Sequence, residues 1–467
     1  LINPPAVNGV MMVREGRCMQ REGAWTAVWA PISLATIAAL LKKNKFEVKV
    51  IDCIVAKINK VGLKKIISDF KPSLVVINAI TASIKSDLGV ASLTKKISRD
   101  IKTAAFGIHV SALPKDSFIL EPKLDYLIRG EPEITTLELA KTLLTNKKID
   151  KVLGLSYKAG KKVVNNSDRP MIHNLNLLPP PAWELIDVTK YKMPFSAKPF
   201  LLVGIGRGCP YNCQFCADKA YYGQVLRLPS VRKVISEIER DIKEFGVDEF
   251  LFWTESFMIN PKFAESVCRE IIKRKLKIRF VVNGRVDQVN PKLLQLLKKA
   301  GCWMIGFGIE SGDNHILELM QKGITTEQIK KAVIMAKKAG LEVTGHLIVG
   351  YPGETKATIE ETIQMAIKLD LDFAQFYTSV PFPGSQLYLL AKKKNYIVNK
   401  NWTYFEQNFS VMNLPGLKAK EVETLRAEAY RRFYLRPKMI FKTLIRIRSL
   451  PEAFYFAKMA RDFLNWF

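Results

Sequence analysis

The chain is predicted to be an α/β protein made of two successive blocks of alternating strands and helices, followed by a mainly helical C-terminal region. Three observations predict this. Short apolar runs of strand length recur between stretches of helical periodicity; the alternation lapses once, in a proline-rich joint; and it ends after Pro383-Gly384-Ser385, where basic helical sequence takes over. A length of 467 residues is large for one core, and 48% hydrophobic content is ample for globular packing.

In the first block, residues 1–148, strands are read at Val48 to Ile51, Leu74 to Ile77, Ala104 to Ile108 and Tyr126 to Ile128. The clearest helix runs from Ile32 to Leu41 and stops at the polar Lys42-Lys43-Asn44. Such βαβ alternation implies an open, mostly parallel, doubly wound Rossmann-like sheet with its ligand crevice beyond the carboxyl ends of the strands. There the chain carries Asp52-Cys53, Asn78 to Ser83, Gly107 to Ser111 and Arg129 to Glu133, small and polar groups suited to a phosphate or amide-rich ligand.

Residues 149–199 read as a linker: a hairpin from Gly154 to Val164, then Leu178-Pro179-Pro180-Pro181, whose prolines stiffen the joint. The second block, residues 200–390, has strands at Leu201 to Ile205, Phe250 to Trp253, Ile278 to Val282, Met304 to Ile309, Val343 to Val349 and Phe373 to Tyr377, with longer helices between them. Residues 391–467 form the basic helical C-terminal region.

The most informative stretch is Arg207-Gly208-Cys209-Pro210-Tyr211-Asn212-Cys213-Gln214-Phe215-Cys216. Three cysteines in one loop offer three thiolates to an iron-sulfur cluster that takes four ligands, leaving one metal position open. Closed structural zinc sites pair such cysteines with a second pair or with histidines downstream, and no second pair follows here. A disulfide framework belongs to short secreted chains. The remaining cysteines, Cys18, Cys53, Cys268 and Cys302, are scattered singly in apolar or helical contexts, as buried free thiols are.

The spacing C-x3-C-x-aromatic-C, with Phe215 as the aromatic, resembles the signature of radical S-adenosylmethionine (radical SAM) enzymes. The resemblance implies that Cys209, Cys213 and Cys216 hold a 4Fe-4S cluster whose open iron chelates SAM. It also implies reductive cleavage of SAM to a 5'-deoxyadenosyl radical, and six βα units forming a partial (β/α)6 TIM-like barrel with the cysteine loop after its first strand. The SAM contacts it implies lie at strand ends: Phe215 in the loop, Thr254 and Glu255 after the second strand, Arg285 after the third, Gly308, Glu310 and Ser311 after the fourth, and Ile348 at the fifth. One departure is that Trp253-Thr254-Glu255-Ser256-Phe257 stands where many members carry Gly-Gly-Glu, so Thr254 and Glu255 are placed by position.

The first block resembles the cobalamin-binding domain that precedes the SAM barrel in one large subclass of that family, on Ile2-Asn3-Pro4-Pro5, Gly107-x-His109 and Arg129-Gly130-Glu131-Pro132-Glu133. Thr81, Ser83, Gly107, His109, Arg129, Gly130 and Glu131 are then the candidates for touching cobalamin. The Asp-x-His-x-x-Gly loop that ligates cobalt in some cobalamin proteins is absent, since Cys53 and Ile54 follow Asp52, so a corrinoid held without that histidine is implied. The bland reading of His109 is a residue bonded into a tight turn.

The resemblance implies methyl transfer to an unactivated carbon, with SAM as both radical source and methyl donor to cobalt. Oxidative cyclisation or rearrangement of the kind run by anaerobic magnesium-protoporphyrin ester cyclases is the alternative. A tRNA methylthiotransferase would need a second cysteine cluster in the first block, and a non-catalytic iron-sulfur carrier would have no use for Gly308-x-Glu310-Ser311. Expected partners are a small-molecule or lipid-like substrate and an external electron donor such as flavodoxin or ferredoxin.

Seven cysteines without a secretory leader suit a reducing cytoplasm, and residues before Leu1 are expected because the chain opens inside an apolar strand-like run. The net charge of +28 invites anionic partners, yet the lysines are spread over helix faces and no compact basic-aromatic stripe precedes the C-terminus, so nucleic acid is not expected. From Arg431 to Arg448 basic and apolar residues interleave with no acid among them. This stretch reads as a helical cap on the barrel, with peripheral contact at the inner face of an anionic membrane as the alternative.

Overall fold

Two parallel sheets organise the chain, seen in a computed structural model that describes residues 1–7, 9–15, 20–21, 28–145, 147–194, 196–445, 447, 453–454, 456–457 and 461. Cys18, Arg446 and Arg448 lie outside the described residues. The strands are β1 (Ile2–Asn3), β2 (Met12–Val13), β3 (Gln20–Arg21), β4 (Ile51–Asp52), β5 (Leu74–Asn78), β6 (Lys102–Phe106), β7 (Tyr126–Ile128), β8 (Leu155–Ala159), β9 (Lys162–Asn165), β10 (Phe200–Gly204), β11 (Glu249–Trp253), β12 (Arg279–Gly284), β13 (Cys302–Glu310), β14 (Glu342–Val349) and β15 (Phe373–Thr378). The helices are α1 (Ile32–Lys43), α2 (Lys60–Phe70), α3 (Ile84–Lys95), α4 (Ile108–Ala112), α5 (Pro114–Leu120), α6 (Pro132–Leu144), α7 (Lys219–Tyr222), α8 (Val231–Phe245), α9 (Pro261–Lys273), α10 (Pro291–Lys299), α11 (Asn314–Leu319), α12 (Thr326–Lys338), α13 (Lys356–Lys368), α14 (Gln386–Lys393), α15 (Ala419–Tyr434) and α16 (Pro437–Leu444).

The first sheet has the order β4-β1-β5-β6-β7-β8-β9 and is parallel from β4 to β7. Strand β1 pairs with β4 on one side and β5 on the other, which makes the β1/β5 boundary the point where the winding reverses. The strand expected from Val48 begins only at Ile51, and the one expected to reach Ile108 ends at Phe106. Gly107 causes the second difference. Its φ of +137° turns the chain into α4, and a Cβ there would lie 2.0 Å from the Ala79 carbonyl oxygen, so only glycine allows this approach.

The hairpin read as part of a linker is instead the edge of the first sheet, because β8 pairs antiparallel with β7 and β9 with β8. The rest of the connector is packed as well. Trp183 and Tyr191 are fully buried with the second unit's core, the Tyr191 hydroxyl donates to Asp52 Oδ2 at 2.8 Å, and the Ala182 amide donates to the Ala35 carbonyl at 3.0 Å. Residues 149–199 therefore do not act as a spacer between modules.

Strands β10 to β15 form a second, wholly parallel sheet in sequence order, which leaves it open between its first and last strands. Its helices start and stop on local signals. The Ser230 side chain accepts from the Lys233 amide to begin α8, Gly246 at φ +64° ends it, and Val234, Ile235 and Ile238 face the sheet between those caps. Under the sheet Phe252 stacks on Phe280 with centroids 4.2 Å apart.

The open edge at β15 is closed by side chains of α15. The Tyr434 hydroxyl accepts from the Ala374 amide at 3.0 Å and donates to its carbonyl at 2.9 Å; Tyr430 Oη accepts from the Phe376 amide at 3.1 Å, and Arg426 Nε donates to the Phe376 carbonyl at 2.8 Å. Backbone groups that a seventh strand would pair are thus satisfied by a helix.

Candidate active site

The cysteine loop follows β10 and is tied down on several sides. The Arg207 amide donates to the Arg227 carbonyl at 3.0 Å, Cys209 N to the Gly223 carbonyl at 3.2 Å, and Gln214 N to the Met320 carbonyl at 3.0 Å. Gly208, at φ +83°, passes so close to Val225 that a Cβ would come 2.3 Å from its carbonyl oxygen. The loop therefore has one course, and Cys209, Cys213 and Cys216 border a cavity of about 1090 Å³ at the carboxyl ends of β11 to β14.

Among the described residues no three His, Cys, Asp or Glu side chains converge closely enough to hold a single metal ion. Three thiols spread along a cavity wall fit the corners of a polynuclear cluster better than a zinc ion, whose ligands meet at one centre.

The opposite wall is built from the ends of β12 and β13. The Arg285 guanidinium sits 3.6 Å over the Tyr211 ring, donates twice to Asp287 at 3.0 Å and reaches the Lys322 carbonyl at 2.8 Å. Burial opposes its charge, but hydrogen bonding and attraction to the Asp287 carboxylate more than offset this and hold it above its usual value. Arg285 lines the cavity already held by protein partners, and it ties the cluster loop to β12. Ser256 and Gln288 extend the brace: Gln288 Nε2 donates to Tyr211 Oη at 2.9 Å, the Ser256 hydroxyl to Gln288 Oε1 at 2.6 Å, and the Arg285 amide to Ser256 Oγ at 3.2 Å.

Lys322 Nζ donates to Glu310 Oε1 at 2.5 Å, with both side chains nearly buried, and lies 5.9 Å from the Phe215 ring centre. Gly306 and Gly308 floor the cavity between such groups. A Cβ on Gly308 would stand 2.5 Å from Glu310 Oε1 and 2.6 Å from Lys322 Nζ; one on Gly306 would stand 2.7 Å from Asn283 Oδ1 and 2.8 Å from His346 Nε2. The glycines keep open a floor rimmed by carboxylate, amide and imidazole, which suits the amino-acid and nucleoside parts of SAM.

The sequence candidates divide. Phe215, Glu255, Arg285, Gly308 and Glu310 line the cavity with the three cysteines. Thr254 is buried beside them, its hydroxyl 3.5 Å from Glu255 Oε2, and Ile348 lies on the same face of β14 as the cavity-lining His346. Ser311 turns away: its oxygen accepts from the Asp313 amide at 3.2 Å and meets Thr362 Oγ1 at 3.4 Å, so it shapes the turn into α11. Tyr211, Asp218, Asn283, Gly306, Lys322 and His346 also line the cavity and were not among the candidates. Period-two alternation along β14 would mark His346, two residues before Ile348; Lys322, in a loop after α11, carries no local signal.

A second cavity, of about 400 Å³, opens at the carboxyl ends of β5 and β6, lined by Asn78 to Ile80 and Phe106 to Ile108 together with Asp218, Tyr221 and Tyr222 of the second unit. Asp218 borders both cavities, so the strand-end crevice of the first sheet and the cysteine cavity are neighbours there. Asn78, Ala79 and the Gly107 turn present a small-residue edge at the ligand position of the first sheet, with Arg14, Glu15 and Ser33 beside them.

Of the cobalamin candidates, only Gly107 lines that crevice. The His109 ring is fully buried between Thr81 Oγ1 at 3.3 Å, Asp116 Oδ2 at 3.6 Å and the edge of Trp402, and burial lowers its pKa. It belongs to the core, as its bland reading had it. Ser83 donates to Asp87 Oδ2 at 2.7 Å, and Asp87 is also paired with the buried Arg14 at 2.7 Å. Arg129 bonds Asp168 and the Asn166 carbonyl, and the Gly130 amide donates to Ser111 Oγ at 3.0 Å. Glu131 accepts from Arg227 Nη1 at 2.8 Å, from Arg207 Nη1 at 2.9 Å and from the Ile172 amide at 2.7 Å, while Glu133 accepts from Arg207 Nη2 at 2.5 Å. The two carboxylates of this motif join the two units, while Arg129 braces the sheet edge of the first.

With this geometry in place, the B12 binding domain family matches residues 25–140 and the Radical SAM superfamily matches residues 203–366. The chain is 36% identical over 414 residues to an uncharacterized methyltransferase of Pyrococcus horikoshii, covering 89% of this chain and 90% of that protein. It is 30% identical to the anaerobic magnesium-protoporphyrin IX monomethyl ester cyclase of Rubrivivax gelatinosus, covering 77% of this chain and 66% of the cyclase. Its fold is similar to that of the radical SAM methyltransferase TsrM from Kitasatospora setae with cobalamin and a 4Fe-4S cluster bound (TM-score 0.70, 17% identity, 88% of this chain and 87% of TsrM). It is similar also to that of OxsB with aqua-cobalamin and SAM bound (TM-score 0.73, 18% identity, 92% of this chain and 68% of OxsB).

Proposed function

Because the chain belongs to the cobalamin-dependent radical SAM enzymes, we propose that it methylates an unactivated carbon of a small-molecule or lipid-like substrate, drawing electrons from a flavodoxin- or ferredoxin-like donor. The observation that carries this reading is that the cysteine cavity and the strand-end crevice share a wall residue, Asp218, which sets the two cofactor positions side by side. Bound there, the cluster with SAM supplies a hydrogen-abstracting radical, and the corrinoid supplies a transferable methyl group.

The residues have separable tasks. Cys209, Cys213 and Cys216 hold the cluster, and the Tyr211, Arg285 and Asp287 brace fixes the loop that carries them. Gly306 and Gly308 leave room for SAM beside the Glu310–Lys322 pair, whose buried charges hold the polar wall in one arrangement. Phe215, Tyr221 and Tyr222 line the cavities with ring surface that limits water near a radical.

The 30% identity to a cyclase supports radical cyclisation without net methylation as the second reading. Anaerobic reconstitution with iron, sulfide and hydroxocobalamin, then SAM and a reductant, separates them. Methylation requires both 5'-deoxyadenosine and S-adenosylhomocysteine; 5'-deoxyadenosine alone favours cyclisation, and neither product rejects both. Cys213→Ala is expected to abolish the brown cluster absorbance and both products, and an unchanged spectrum would overturn the ligand assignment.

A further inference from the structure

Helix α16 is amphipathic with its apolar side turned outward. Only Met439 of this helix is buried, whereas Phe441 is 64% exposed, Leu444 and the following Ile445 60% each, and Ile440 46%. These four recur at the i, i+1, i+4, i+5 spacing that makes one stripe. Met439 and two lysines fasten the helix: Lys438 and Lys442 each reach Asp370 Oδ2 at 3.0 Å, and Lys442 is 3.6 Å from Asp372. A helix that merely capped the barrel would bury its apolar stripe; α16 buries Met439 and leaves four large apolar side chains exposed.

We propose that this stripe is a peripheral docking surface for an anionic lipid bilayer. Charge selects the occupant. From Arg431 to Arg448 the sequence carries seven basic residues and no acid; Arg432, Lys438 and Lys442 are paired with acids of neighbouring elements, but the chain as a whole carries a net charge of +28, so a second copy would bring the same positive field against itself, while anionic head groups complement it. Large apolar side chains beside lysine and arginine are the composition that settles at the head-group boundary. Among the described residues no helix is long and apolar enough to cross a membrane, so the contact is at the surface.

The fold sets the orientation of the docked protein. Val422, early in α15, packs at Gly350 beyond the carboxyl end of β14, and Tyr434, at its end, meets Ala374 near the start of β15. Helix α15 thus runs down the barrel to the amino ends of the strands, and α16 lies at the end opposite the cysteine loop. Docking there leaves the mouth of the cavity facing water.

The test is co-sedimentation of the full chain with vesicles of phosphatidylcholine alone or of equimolar phosphatidylcholine and phosphatidylglycerol, beside the double substitution Phe441→Asp with Leu444→Asp. The proposal requires binding to the anionic vesicles, weakened by salt, and a drop of roughly tenfold or more in the double variant. Hydrogen exchange of residues 437–445 in the unaltered chain, slowed by anionic vesicles and not by neutral ones, provides a reading that does not depend on how the variant folds. Equal recovery in the supernatant with both vesicles overturns the proposal. So does a concentration-dependent dimer that the substitutions dissociate while vesicle binding is absent.

Discussion

Lys322 Nζ lies 2.5 Å from Glu310 Oε1 in the wall of the cysteine cavity, and Glu310 makes that contact from φ +64°, a left-handed conformation that costs a residue with a Cβ on the order of 1 kcal/mol. A strained residue paired inside a cavity is held there by its partner. Lys322→Met is expected to cost about 3–5 kcal/mol in denaturant unfolding, because it leaves a nearly buried carboxylate without its counter-charge. Glu310→Gln, which removes the charge and keeps the polar atoms, should cost less. Both should weaken SAM binding, measured anaerobically by equilibrium dialysis.

Gly107→Ala places a methyl group where the Ala79 carbonyl already is, at a φ that other residues rarely adopt. We expect a loss of at least ~2 kcal/mol of stability and loss of retained corrinoid after reconstitution. Retention at the parent level would remove the strand-end crevice from the cobalamin site.

Tyr434→Phe strips the hydroxyl from both backbone groups of Ala374 and leaves a buried amide and carbonyl to find other partners. A cost of ~1–3 kcal/mol is expected, with faster hydrogen exchange confined to β15.

The Glu354 carboxyl is buried, accepts from the Tyr351 amide at 2.8 Å, and is pushed up to about 8 chiefly by burial. Its neutral form favours the folded state. That contribution is full below the ordinary value of 4.5, shrinks as the unfolded chain ionises above it, and is gone once the pH passes about 8. Glu354→Gln still accepts the amide hydrogen but cannot ionise, so its melting temperature should fall less than the parent's across that interval. Parallel melting curves would contradict the assignment.

What the sequence made legible was local. The order of strands and the cysteine loop follow from short-range periodicity and spacing, and β5, β7 and α1 lie where those signals put them. Pairings between distant residues were not legible. Nothing near Glu131 marks it as the partner of Arg227, and nothing near Tyr157 says that its strand pairs with Tyr126 rather than standing in a linker. Polar groups after a strand end looked like ligand contacts because chain position reports nearness to the crevice and not the direction of the side chain. Ser311, Ser83 and His109 all sit at the right height and point elsewhere.

The four-residue ion cluster of Glu131, Glu133, Arg207 and Arg227 has a consequence for any attempt to divide the protein. Expressed without the barrel, the first unit would display two carboxylates shaped for guanidinium partners it no longer has. The barrel alone would begin its cysteine loop with an arginine stripped of its anchor, two residues before the first thiol. Each half made alone is therefore expected to hold its own prosthetic group less well than the whole chain does, which makes separately produced fragments a poor source of either.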